Sequence, residues 1–301
     1  MIVKKPDTLL PYLLAELQPH TRGEIKRYLK FKSVSVNGIL VTHHDHPLYP
    51  GDRVSVQTDI KKTTQRDFLK SKLQVTYEDE SVILIHKPAG LLTVATEKVQ
   101  TDTAIHQVMQ YLKLARRVDP KIKRGGTHRT KEVFVVHRLD REVSGLILFA
   151  KNYDAKLKLQ TGWEKVEKCY YAVVEGAPAQ ESGTVQSYLK ENKYLNMYSS
   201  DKADGKLSIT HYKILKKSAN NLYSLLEIRL ETGRKHQIRV HLADLGCPIA
   251  GDDRYGAKTN PIDRLALHSY HLAFNHPRTG KHMNFTLPIP PVFNRLISSG
   301  N

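Results

Sequence analysis

The sequence predicts an α+β protein in two parts: a small α/β domain over residues 1–57 and a larger domain over 73–301 built on a mixed, largely antiparallel sheet. Beyond residue 73, short strand-like apolar runs at 82–85, 133–136, 146–150, 170–174 and 222–230 outnumber helical patterns at about 102–116, 153–163 and 234–245. Residues 58–72, with Lys61-Lys62-Thr63-Thr64-Gln65-Arg66, have no apolar period and read as a linker. Ahead of the linker, two helical patterns and a hairpin pattern follow one another closely.

The first helix is written by Leu9, Leu10, Leu13, Leu14 and Leu17 at helical spacing, with Pro11 early enough to be tolerated. Thr21 followed by Glu24 forms a capping-box pattern and opens a basic helix with Arg22, Lys26, Arg27, Lys30 and Lys32 on or near it. Residues 34–41 alternate about an Asn37-Gly38 turn, and Pro50-Gly51-Asp52 leads into a strand at 53–57.

Lysine and arginine number 47 against 30 acidic residues, a formal charge of +17 that favours a polyanionic partner, nucleic acid first. Cys169 and Cys247 stand far apart, which supports neither a disulfide framework nor a cysteine zinc site. No signal-peptide pattern and no membrane-length apolar run is present, so a soluble, cytoplasmic protein is expected. Arg116, Arg117, Lys121, Lys123, Arg124, Arg129 and Lys131 crowd a segment containing Gly125-Gly126, which reads as a basic loop: either a solvated surface or a phosphate contact. His43-His44-Asp45-His46 reads as a solvated loop, because neighbouring side chains diverge and no outside ligands are evident.

The segment carrying most chemistry is 137–151, His-Arg-Leu-Asp-Arg-Glu-Val-Ser-Gly-Leu-Ile-Leu-Phe-Ala-Lys, a charged turn between two apolar strands. An Asp after a strand is most often a turn former, but loop residues on a rigid sheet are also well placed for catalysis. His137-Arg138-Leu139-Asp140, with Ser144-Gly145-Leu146, resembles the signature of the RluA family of pseudouridine synthases. Further segments match in order: Tyr77-Glu78-Asp79-Glu80 and Lys87-Pro88-Ala89-Gly90-Leu91; residues 168–176, from Lys168 through Tyr170 to Gly176; residues 230–241, from Leu230 through Arg234 to His241; Gly251-Asp252 and Tyr255-Gly256; and 267–277. The resemblance covers about residues 73–290. His86, Val143 and Lys235 depart from the usual residues at their positions. The first 57 residues resemble the small RNA-binding domain named after a ribosomal small-subunit protein.

The resemblance implies a pseudouridine synthase fold and the isomerisation of uridine in RNA, with Asp140 as the catalytic carboxylate, Tyr170 as the active-site tyrosine and Arg234 as the basic residue beside them. The glycosidic bond must break, the uracil rotate, and ribose rejoin at carbon 5. Nothing is gained or lost, so no cofactor and no metal are expected, and no Walker loop, dinucleotide fingerprint or zinc spacing is present. Asp140 would act ionised, as a nucleophile at the sugar or as a base, and Arg234 nearby would support its charge. Tyr170 would stack on uracil and help remove the carbon-5 proton. A stacked target must be flipped out at a cost of a few kcal/mol, and Arg138 is the candidate to fill the gap. RNA contacts are expected from Arg138, His137, Arg22, Lys26, Arg27, Lys30, Arg124 and Arg129, although His137 and Leu139 also suit packing beneath the loop. The partner is RNA, ribosomal RNA favoured over transfer RNA, with no membrane and no obligate protein partner. The competing reading is a non-catalytic RNA-binding or ribosome-associated protein.

Overall fold

A computed structural model describes residues 1–30, 34–56, 73–96, 99, 101–118, 133–200 and 204–298. The chain divides into two compact units, Met1–Lys70 and Ser71–Asn301. In the first, β1 (Asp7–Thr8) leads into a helix at Leu9–Glu16, and a second helix spans Arg22–Lys30. The strands β2 (Val34–Val36), β3 (Ile39–Leu40), β4 (Pro47–Leu48) and β5 (Val54–Val56) follow among the described residues. The basic helix starts on the expected capping box: the Thr21 N–H donates to Glu24 Oε2 at 2.7 Å, and the Glu24 N–H returns to Thr21 Oγ1 at 3.4 Å. Its apolar side, Ile25, Tyr28 and Leu29, joins Leu9, Leu13, Val34, Val36 and Val54 in one small core. Asn37 takes a left-handed turn at φ 53° and receives the Arg53 N–H at 2.9 Å, tying the hairpin to β5.

The second unit is organised on an eleven-stranded sheet. Its strands are β6 (Gln74–Glu78), β7 (Val82–Lys87), β8 (Phe134–Val135), β9 (Ser144–Ala150), β10 (Glu167–Glu175) and β11 (Ser182–Glu191). They are followed by β12 (Met197–Ser200), β13 (Lys206–Lys217), β14 (Tyr223–Leu230), β15 (Leu267–Asn275) and β16 (His282–Thr286). The main path runs β12-β11-β13-β14-β10-β15-β9-β7-β6, with β16 on β15 and β8 on β9. Among the described strands of this sheet, every pairing is antiparallel except β9 with β15. β9 is buried along its whole length, with Ile147 and Phe149 facing one core and Leu146, Leu148 and Ala150 the other. Period-two alternation therefore seals both faces of the sheet centre. Helices at Ala104–Val118, Gln237–Asp244 and Pro291–Ser298 contribute Val108, Ile238, Leu242 and Phe293 to the first core; the helix at Tyr153–Thr161 contributes Ala155 and Leu159 to the second.

The parallel joint fixes the site. Gly145 pairs with Ser269 at φ +117°, and a Cβ there would stand 2.1 Å from the Ser269 carbonyl oxygen. Only glycine lets β9 and β15 approach so closely. The strand ends that follow the Asp140 loop and begin β15 are thereby held together.

Candidate active site

The loop between β8 and β9 is anchored through its backbone. Thr93 Oγ1 donates to the Leu139 carbonyl at 2.8 Å and accepts the Leu139 N–H at 3.2 Å. The Arg141 carbonyl accepts from the Gly90 N–H at 2.8 Å and from Lys87 Nζ at 3.1 Å. Lys87 is fully buried; Nζ also reaches the carbonyls of Leu91 and Pro88 at 2.7 and 3.0 Å, and burial lowers its pKa to about 8. Residues 139–141 are thus clamped from the turn after β7, and the carboxylate of Asp140 is carried on a preorganised backbone.

Asp140 opens on a cleft of about 70 Å³ that also collects Arg138, Tyr170 and Arg234. Four residues singled out in the sequence therefore converge. Arg234 does not sit as expected, however. It is exposed, and its Nε donates to the Leu207 carbonyl at 3.3 Å. Among the described residues the basic groups within 4 Å of Asp140 Oδ2 are the Arg239 guanidinium, through Nη1 at 3.5 Å, and the His236 imidazole, through Nε2 at 3.7 Å. The cause is local. His236 adopts φ 54°, so the helix begins at Gln237 instead of 234, and it is Arg239 that points back to the carboxylate. Thr232 does not cap this helix; its hydroxyl accepts the Ile209 N–H at 2.9 Å and donates to Gln237 Oε1 at 2.8 Å.

Arg239 is buried and grips the buried Asp252 through two hydrogen bonds of 2.7 Å. Its guanidinium also lies over the Tyr255 ring at 4.9 Å. The Met197 N–H donates to the Tyr255 hydroxyl at 3.2 Å, and that hydroxyl lies 2.7 Å from His236 Nδ1. A Tyr255 proton donated to Nδ1 leaves the imidazole proton on Nε2, facing Asp140. Burial, seconded by Arg239, Arg254 and Lys235, lowers the His236 pKa against the opposing pull of Asp140. Sequence reasoning missed Arg239 as a site residue, yet a signal existed. It is the charged residue in the run Gln237–Leu242, which is buried throughout, and such a charge demands a partner.

Tyr170 is buried in β10, and burial raises its phenol pKa, with the Asp140 charge adding to the rise. It stays protonated, a donor beside the carboxylate. Tyr171 is excluded from the cleft; its ring stacks on Tyr270 at 3.7 Å.

The RNA pseudouridylate synthase family model matches residues 81–244, a span containing Asp140, Tyr170, Arg234 and Arg239. The chain belongs to the RNA pseudouridine synthases. It is 34% identical to ribosomal large subunit pseudouridine synthase C of Rickettsia bellii, with 92% of each chain covered. It is 30% identical to a Bacillus subtilis protein named as uncharacterized RNA pseudouridine synthase YlyB, covering 98% of this chain and 95% of that one. Human RNA pseudouridylate synthase domain containing 1 shares the fold at a TM-score of 0.58 and 20% identity, over 76% of this chain and 87% of the human one.

In this pseudouridine synthase the other sequence-selected residues fall in different places. Arg138 is exposed at the cleft. His137, expected among the RNA contacts, is turned inward: its ring stacks on Trp163 at 4.4 Å and Nε2 accepts the Leu148 N–H at 3.0 Å. Burial lowers its pKa to about 3, so it is a neutral packing residue. Arg22 and Lys26 are exposed on the first unit. The side chains of Arg27 and Lys30, and Arg124 and Arg129 with the rest of the basic loop, lie outside the described residues. No described helix is long and apolar enough to cross a membrane.

Proposed function

We propose that this pseudouridine synthase acts on RNA of the large ribosomal subunit, with Asp140 attacking or deprotonating the sugar of a flipped uridine. Tyr170 stacks on the base and assists proton removal at carbon 5, and Arg138 occupies the vacated stack. Arg234 at the rim meets the phosphate of the target nucleotide, and Arg239 neutralises charge beside the reacting carboxylate. The observation that carries this reading is the convergence of a clamped carboxylate, a buried protonated tyrosine and three arginines, Arg138, Arg234 and Arg239, on one cleft. The large-subunit assignment is supported by the name of the Rickettsia relative, and the exposed Arg22 and Lys26 of the first unit suit a folded RNA partner. A cytoplasmic location fits that substrate.

The test is tritium release from carbon-5-labelled uridine in ribosomal and transfer RNA, by wild type and by Asp140→Asn. Release from ribosomal RNA by wild type, falling below roughly a thousandth for the variant, is the expected result. Release from transfer RNA alone would overturn the substrate, and unchanged release by Asp140→Asn would overturn its role.

A further inference from the structure

A second cavity, of about 490 Å³, opens beside the same strand ends. Strand alternation divides the lining residues: Val143 and Leu267 line the catalytic cleft, while their neighbours Ser144 and His268 line the second cavity. Pro88, which follows the clamp residue Lys87, forms part of its wall, and residues 287–291 supply a proline and aliphatic surface opposite.

Its polar groups are few and aligned. Arg264 Nη1 donates to Ser144 Oγ at 2.9 Å, so the Ser144 proton goes to His268 Nδ1, 2.8 Å away. That fixes the His268 proton on Nε2, which no described hydrogen bond uses. His86 lies edge-on to His268, with ring centroids 5.4 Å apart. The Arg264 guanidinium lies over Phe293 at 5.3 Å, and no described carboxylate pairs with it. Burial alone lowers its pKa. A half-buried guanidinium with no counter-ion is costly unless a ligand completes it. The cavity volume suits a small organic ligand, and the mixture of an apolar wall with one cation and a spare imidazole donor suits a planar ring carrying an anion.

We propose that this cavity is a second ligand site that binds a phosphate-bearing nucleotide unit, its phosphate on Arg264 and His268 and its base against residues 287–291. The nucleotide is either part of an RNA strand, in which case the proposal rests on the RNA reading above, or free. Because Pro88 adjoins Lys87, an occupant sits against the turn that clamps the Asp140 loop.

Isothermal titration of the full chain with adenosine 5′-monophosphate, and separately with a short oligoadenylate that carries no uridine, tests this. Arg264→Gln removes the cation, and Pro288→Glu places a negative charge at the exposed rim without touching the core. Each is expected to weaken binding about tenfold. Weakening with the mononucleotide identifies a free-nucleotide site; weakening with the oligoadenylate alone identifies an RNA strand. If wild type binds neither probe, or folded Pro288→Glu and Arg264→Gln bind both as wild type does, the site does not exist. Tritium release is measured on the same proteins, so this failure is separable from failure of the synthase reading.

Discussion

Arg239 Nη1 lies 3.5 Å from Asp140 Oδ2 while the same guanidinium holds Asp252 through two hydrogen bonds of 2.7 Å. One buried cation thus serves a structural carboxylate and faces Asp140, the carboxylate proposed to react. Arg239→Leu leaves Asp252, only 1% exposed, without a partner, and should cost about 3–5 kcal/mol. Adding Asp252→Leu should restore much of that stability but no turnover, because Asp140 still lacks its cation. Urea unfolding with tritium release on both variants checks this; recovered turnover in the double variant would show that Arg239 matters only to the fold.

Gly145→Ala should be far worse than Gly90→Ala. Both glycines have positive φ, but a Cβ at 145 meets the Ser269 backbone at 2.1 Å, whereas one at 90 meets nothing within 4 Å. The first should cost about 3 kcal/mol or more and the second about 1. Equal losses in urea midpoint would mean that the parallel β9–β15 joint is not the tight constraint described above.

The sheet centre and the Asp140 loop were legible because their signals are local. The run at 146–150 is apolar without interruption, as a strand buried on both faces must be, and the charged turn before it stands out. β11, β12 and β13 are not legible in the sequence: β11 is mostly exposed or half-buried over Ser182–Glu191, with Leu189 its one buried residue and polar side chains on both sides, so no apolar period marks it. The resemblance sets Arg234 at the basic position beside Asp140, and the helical pattern starts there as well; in the structure the helix starts at Gln237. The left-handed His236 that delays it reflects tertiary contacts with Tyr255 and Asp140, which spacing along the chain does not reveal.

Acid should unfold the protein through its neutral imidazoles. His137 and His268 ordinarily titrate near 6.5, and burial lowers both to about 3. Between those values the unfolded chain binds protons that the native chain refuses, so stability falls with falling pH by about 1.4 kcal/mol per unit for each group. His137→Gln keeps an acceptor for the Leu148 N–H but cannot titrate. Its stability should decline between pH 6.5 and 3 with one proton less of slope; a slope equal to that of wild type would mean that His137 is protonated in the folded state.

Lys87→Met should separate chemistry from binding. Methionine keeps the length of the buried stem, but the carbonyls of Pro88, Leu91 and Arg141 lose their shared donor. About 1–3 kcal/mol of stability should go with it. Thr93 and Gly90 still hold the loop, so the chain folds, but the backbone that carries Asp140 gains freedom. Single-turnover tritium release should slow by about ten- to a hundredfold while RNA affinity changes little, since misplacement of a reacting group costs rate before it costs binding. A pH signature accompanies this. Between about 8 and 10.5 the unfolded chain keeps a lysine proton that the native chain has released, so wild-type stability rises with pH there by about 1.4 kcal/mol per unit. Lys87→Met should lack that contribution. If affinity falls as far as rate does, the clamp shapes the RNA surface instead of the position of Asp140.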